Sequence, residues 1–195
     1  QSLSSMSVSD LECIVKLHVA QGKCLASVHR GAESVVAYQN ALQIMQASPA
    51  AYEIRDRSIV FPIFSGLFLA LKFGQIEQDE YCTYEQNLVA RFVSETKLHG
   101  DPVHYVRALS MQAEMYGRLS DFTKAFETLD ELKQHYIPEE HSVEICKTYG
   151  SDCAAQCFGI SVMWHRQVGD LHGAMKTCRY IFDDLMPKMQ LKNVH

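Results

Sequence analysis

Two stretches of this sequence can be laid over one another, and their shared spacing restricts the folds open to the chain. Leu109-x3-Ala113-x2-Tyr116-x2-Leu119-x2-Phe122-x2-Ala125 matches Phe158-x3-Val162-x2-His165-x2-Val168-x2-Leu171-x2-Ala174, and a proline follows each final alanine by thirteen residues, at Pro138 and Pro187. Steps of three and four gather residues on one face of a helix, whereas a strand would alternate. The spacing also meets a packing need: a small residue where two helices cross closely, large residues in the facing holes, and a breaker at the end.

Helical spacing punctuated by turn signals runs the length of the chain, and no segment reads as a strand. Ser9-Asp10-Leu11-Glu12 has the form of a capping box and predicts a first helix reaching about His29, with Gly31 as the break. A second helix carries Val35, Tyr38, Ala41, Leu42 and Met45 on one stripe before Ser48-Pro49. The third is expected over Ala51 to Phe73 with an irregularity at Pro62, ended by Gly74, and the fourth from Asp79 to Leu98. His99-Gly100-Asp101-Pro102 combines a stop, a cap and a proline start. Helix five then presents Val106, Leu109, Ala113, Tyr116 and Leu119. Helix six, capped by Asp121, presents Phe122, Ala125, Phe126, Leu129 and Leu132. Tyr136 to Pro138 closes that pair, and Glu139 to Tyr149 reads as a further turn or two of helix. Gly150 and Asp152 stop one helix and cap the next, which runs to Val168. The eighth carries Leu171, Ala174, Met175, Cys178, Ile181 and Leu185 before Met186-Pro187.

Composition narrows the function classes. With 47% hydrophobic and 21% charged residues the chain is globular, and 18 Lys plus Arg against 23 Asp plus Glu leave a net charge of −5. No basic stripe interrupts this balance, so nucleic acid is not an expected partner. The longest uncharged run, Ser58 to Leu71, is shorter than a membrane span of about 20 residues and contains Pro62 and Gly66; it reads as a buried core helix. No basic segment followed by an apolar core marks a signal peptide. Seven cysteines, mostly at apolar helical positions, point to a reducing, cytoplasmic setting in which thiols act as small hydrophobes.

Eight helices joined by short turns form about four antiparallel pairs, and an amphipathic pair must stack on its neighbours to cover both apolar sides. This pattern resembles the tetratricopeptide repeat, with Gly169-Asp170-Leu171-x2-Ala174 matching its turn and second helix. Gly22, Leu25, Val28, Ser34, Tyr38 and Ala41 fit more loosely, and Ala51 to Leu98 is degenerate. The resemblance implies an all-α, right-handed α-α solenoid over residues 1–187, followed by a tail at 188–195. Ala125 and Ala174 are 49 residues apart against a usual repeat of about 34, with the excess near Glu139 to Tyr149. A narrower resemblance covers Ser58 to Leu185 through Gly66-Leu67, His99-Gly100-Asp101, Tyr136, His141, Tyr149-Gly150-x-Asp152 and the Trp164 helix leading to Gly169. It is to the helical-repeat region of large signalling proteins that carry an ATPase or a soluble-adenylyl-cyclase-like module. That resemblance implies an internal sensor or scaffold whose catalytic domains lie elsewhere.

Catalytic signatures are missing: no phosphate-binding Gly-Lys-Ser/Thr loop, no G-x-G-x-x-G turn, no G-x-S-x-G elbow, no H-E-x-x-H and no C-x2-C. Neither enzyme nor cofactor is therefore expected. Cys146, Cys153, Cys157 and His165 would share one side of an unbroken helix and offer two or three thiolates to a metal, but small buried thiols that let a helix pack closely are the expected reading, and no metal is expected. His141, Tyr149 and Asp152 would form a polar site at a helix end, or simply a cap and a packed ring. The repeat alignment turns Arg107, Ser110, Glu114 and Arg118 of helix five, with Gln156, Met163 and Arg166 of helix seven, toward the concave side. These are the expected contacts with a protein or peptide, such as another domain of the same polypeptide. The competing readings are a small-molecule- or metal-binding helical bundle, a helical enzyme with a cryptic pocket, and a homotypic element with an open apolar end surface.

Overall fold

A computed structural model describes residues 6–47, 57–73 and 78–189. Among these residues the chain is all-α, with nine α-helices and no strand: α1 Val8–Ser27, α2 Gly31–Ala47, α3 Arg57–Phe73, α4 Gln78–His99, α5 Pro102–Arg118, α6 Phe122–His135, α7 Pro138–Tyr149, α8 Cys153–Gln167 and α9 Leu171–Arg179. A π-helical turn, Tyr180–Leu185, and a 3-10 turn, Met186–Lys188, extend α9. The Ser48-Pro49 start, the Ala51 to Asp56 stretch, the Gly74 stop and the tail beyond Met189 lie outside the described residues. None of the described helices is long and apolar enough to cross a membrane. The chain divides into two compact units, 1–88 and 89–195, with the boundary inside α4.

In the first unit α1 packs on α2 and α3, and α2 on α3. The capping box sits two residues earlier than the sequence suggested. Ser7 is the N-cap, its hydroxyl accepting from the Asp10 N–H while Asp10 reaches back to the Ser7 N–H. An aspartate at the third helical position serves as well as the glutamate of the usual pattern. The break after α1 is not at Gly31, which begins α2, but at His29, held at φ 60. The core is organised by Tyr38, which is fully buried with its ring between Gly22 of α1 and Gly66 of α3. A Cβ at Gly22 would fall 2.7 Å from that ring. Burial pushes the Tyr38 hydroxyl up to about 12. Phe61, Ile63, Phe64, Leu67 and Phe68 are buried around α3, which continues through Pro62; the uncharged run is a core helix.

The second unit is punctuated by aspartates. Asp101, Asp121, Asp152 and Asp170 cap α5, α6, α8 and α9, each accepting the backbone N–H three residues on. Gly100 and Gly150 take positive φ at the preceding stops, as the sequence indicated. The expected turn or two at Glu139 to Tyr149 is instead the complete helix α7. Pro138 opens it, Glu139 and Glu140 favour its positive end, and His141, Ser142 and Ile145 form a buried face that repays its length. The last long helix also departs from expectation, passing from α to π geometry at Tyr180. Within this unit α5 packs on α6, α7 and α8, while α8 packs on α6 and α9. Val106, Leu109, Ala113, Ala125, Leu132, Ile145, Cys157 and Phe158 meet in the core. Gly117 lies against the buried ring of Trp164, so α5 and α8 approach closely there.

Candidate functional site

Each feature below lies in the second unit. Along α5 the residues assigned to a groove divide sharply. Arg107, Ser110 and Glu114 are buried, whereas Arg118 is exposed. The guanidinium of Arg107 sits 5.6 Å from the centre of the Tyr149 ring, which α7 supplies. The Ser110 hydroxyl donates to the Val106 carbonyl, and the Ser110 carbonyl lies 3.6 Å from the Cys157 sulfur. Tyr149 of α7, where only a turn or two of helix was expected, thus covers Arg107, while Ser110 meets α8 through Cys157. On α8, Gln156, Met163 and Arg166 are exposed, with an Arg166 N–H 3.8 Å from the Met163 sulfur.

A polar network fills the space between α5, α7 and α8. The Tyr136 hydroxyl donates to Asp152 Oδ2, while Asp152 Oδ1 accepts the Ala155 N–H at 3.0 Å. One carboxylate therefore caps a helix and satisfies a buried phenol. The Tyr149 hydroxyl is hydrogen bonded to His104 Nδ1, and the Ile137 N–H donates to His141 Nδ1 at 3.2 Å. Burial pushes both phenols far above the usual tyrosine range, with Asp152 adding to the shift at Tyr136. Burial also lowers the His104 imidazole, against the opposing pull of Asp101 and Glu144. Hydrogen bonds centred on Asp152 and on the His104–Tyr149 pair tie this region together.

The four residues that would have made a thiol site are separated. Gly150, at φ 82, ends α7 before α8 begins, so Cys146 is not in line with Cys153 and Cys157. Burial raises the Cys146 and Cys153 thiols, which disfavours the thiolate a metal or an electrophile requires. His165 is engaged elsewhere. Its Nδ1 lies 2.9 Å from Asp170 Oδ2, and its ring stacks on Phe126 with centroids 4.3 Å apart. Among the described residues no cluster of His, Cys, Asp or Glu is arranged to hold a metal ion.

His165 instead forms a wall of a cleft bounded by α6, α8 and α9. Phe126, Leu129, Phe158 and Tyr180 give the cleft an aromatic and aliphatic floor, with a volume of about 220 Å³. Lys133 and Lys176 stand at its edge with Asp130, and Lys133 Nζ lies 3.8 Å from the centre of the Tyr180 ring. Sequence reasoning missed this site because its residues come from three helices, each at an unremarkable amphipathic position. Of its residues, the sequence singles out His165 alone, as a partner of the cysteines. Leu171 and Met175 of α9, with Phe182 and Met186 of its extension, are also exposed. No protein-family model matches the chain, nor does any curated protein or solved structure.

Proposed function

We propose that this chain is a protein-binding helical module, not an enzyme, and that the cleft between α6, α8 and α9 anchors one bulky side chain of a partner segment. The size of the cleft carries this reading. Pockets for cofactors and drug-sized ligands occupy roughly 300–1,000 Å³, whereas a cavity of about 150 Å³ already admits a benzene ring. A cleft of about 220 Å³ fits a single leucine or aromatic side chain. Two lysines against one aspartate at the edge favour acidic residues on either side of that anchor.

The same reading treats α5–α6 and α8–α9 as successive pairs of a tetratricopeptide-like solenoid, with α7 inserted between them. Packing of α5 on α6, α8 on α9, and α8 on both α5 and α6 supports it. Arg118, Gln156, Met163 and Arg166 then supply further exposed contacts. The resemblance to signalling ATPases and cyclases makes another domain of the same polypeptide, in the cytoplasm, the first partner to test. Labelled dodecamer peptides with a central Phe, Leu or Ala, flanked by Glu or by Lys, provide the assay by fluorescence anisotropy. The Phe and Leu peptides with Glu flanks should bind saturably. The pair Lys133→Glu and Lys176→Glu should weaken them about tenfold or more, corresponding to ~1.4 kcal/mol. Thr177→Phe, which fills the cleft, should abolish binding. Equal binding of the Lys-flanked or Ala-centred peptides would refute the reading.

A further inference from the structure

The lining of the cleft between α6, α8 and α9 is richer in rings than an aliphatic anchor requires. Phe126, Phe158, His165 and Tyr180 all border it, and they are already ordered in two pairs. Phe126 stacks on His165 with centroids 4.3 Å apart and planes 23° from parallel. Phe158 meets Tyr180 edge to face, at 5.2 Å and 77°. The Lys133 ammonium stands 3.8 Å from the centre of the Tyr180 ring. Phe126, His165 and Tyr180 are only half-buried, so ring surface remains open to a guest.

Such a lining answers an aromatic guest and an aliphatic one differently. An aliphatic side chain gains the burial of its surface and nothing more. A six-membered ring gains that burial too, and in addition its positive edge meets the negative faces of neighbouring rings while its own face accepts a cation. Both geometries already occur in the cleft, the first in the Phe158–Tyr180 pair and the second in Lys133 on Tyr180. Lys133 and Lys176 at the edge also match acidic residues beside the anchor.

We propose that the cleft selects an aromatic side chain, with one six-membered ring, over an aliphatic side chain of equal or greater apolar surface. The occupant is a partner segment that carries this ring between acidic residues. This inference rests on the protein-binding reading of the same cleft and narrows the partner that it admits.

The test compares Glu-flanked dodecamers with Phe, cyclohexylalanine or Leu at the centre, by fluorescence anisotropy against the full chain. Cyclohexylalanine is the decisive control, because it keeps the carbon skeleton of Phe, exposes more apolar surface and has no π face. Burial alone ranks it level with Phe or above; a ring-lined cleft ranks Phe about fivefold or more ahead of it. Phe126→Leu and Tyr180→Leu each remove one ring and keep an apolar lining. Each should shrink the preference for Phe over cyclohexylalanine while leaving the cyclohexylalanine peptide nearly unchanged, as a coupling between guest ring and lining ring requires. Circular dichroism checks that both variants keep their helicity, and a Phe preference reduced in either one that does supports the assignment.

Cyclohexylalanine binding as tightly as Phe, or more tightly, overturns the aromatic selection and leaves a cleft for any bulky side chain. A Phe preference that neither folded variant reduces overturns it as well. Failure of all three peptides to bind removes the protein-binding reading itself, and this inference with it. N-acetyl-phenylalanine amide should compete far more weakly than the Phe dodecamer; equal competition would overturn the peptide segment as occupant in favour of a free aromatic compound.

Discussion

Replacing Gly117 by alanine isolates the close approach of α5 to α8. A Cβ built at Gly117 falls 2.6 Å from Nε1 of Trp164, where ordinary contact begins at 3.4 Å. Relief requires close to an ångström of movement by a buried indole, and its neighbours are packed. Overpacking of this kind costs about 1–3 kcal/mol. Alanine recovers roughly 0.5–1 kcal/mol over glycine inside a helix, so the net expectation is a loss of about 1 kcal/mol or more. Gly159 of α8 supplies the control, because a Cβ there meets nothing within 4 Å. Gly159→Ala should therefore gain about 0.5–1 kcal/mol by the propensity difference alone. The chain contains one tryptophan, Trp164, so its fluorescence in a urea titration reports the second unit directly. Two substitutions of the same chemistry should thus move the urea midpoint in opposite directions. A Gly117→Ala midpoint at or above that of the wild type would refute the close-packing argument.

Three further predictions concern the polar network and the thiols. Asp152→Ala removes a helix cap and leaves the Tyr136 hydroxyl without its acceptor; a cap is worth ~1 kcal/mol and a buried unpaired hydroxyl ~1–3 kcal/mol. The variant should lose about 2 kcal/mol or more by tryptophan-monitored urea unfolding, and Asp152→Asn, which keeps an oxygen for the cap, should lose less. Because His104 is held below its unfolded value of 6.5, the unfolded chain takes up the proton first as pH falls. Stability contributed by the neutral imidazole is complete above pH 6.5 and declines below it. Urea midpoints across that range should fall less steeply in His104→Gln. Native-state labelling with a bulky disulfide reagent should modify Cys13 and Cys24 quickly, and Cys153 and Cys157 only on unfolding.

Much of the architecture was legible because it rests on local chemistry. The aspartate caps of the second unit, the stop at Gly100, the stop at Gly150 and the stripe through Val35, Tyr38, Ala41, Leu42 and Met45 all follow from interactions within a few residues. Two boundaries were misread for equally local reasons. Asp10 paired with Ser7 where the usual box favoured Glu12, and His29 took a left-handed conformation where Gly31 was expected to. The length of α7 was hidden because its short buried face, His141, Ser142 and Ile145, is weakly apolar and gains its energy from α5 and α8.

The sequence by itself determined that the chain is helical and where most of its helices start and stop; its thiols, expected to act as small hydrophobes, are buried only at Cys153 and Cys157. Backbone capping and apolar periodicity are encoded within one or two turns. Only the tertiary structure decided that Arg107 and Glu114 are buried while Arg118 remains exposed, that His165 belongs to Asp170 and Phe126, and that a side-chain-sized cleft opens beside Lys133 and Tyr180. Each of those outcomes depends on which helix lies against which, and that is settled by the packing of surfaces far apart in the chain.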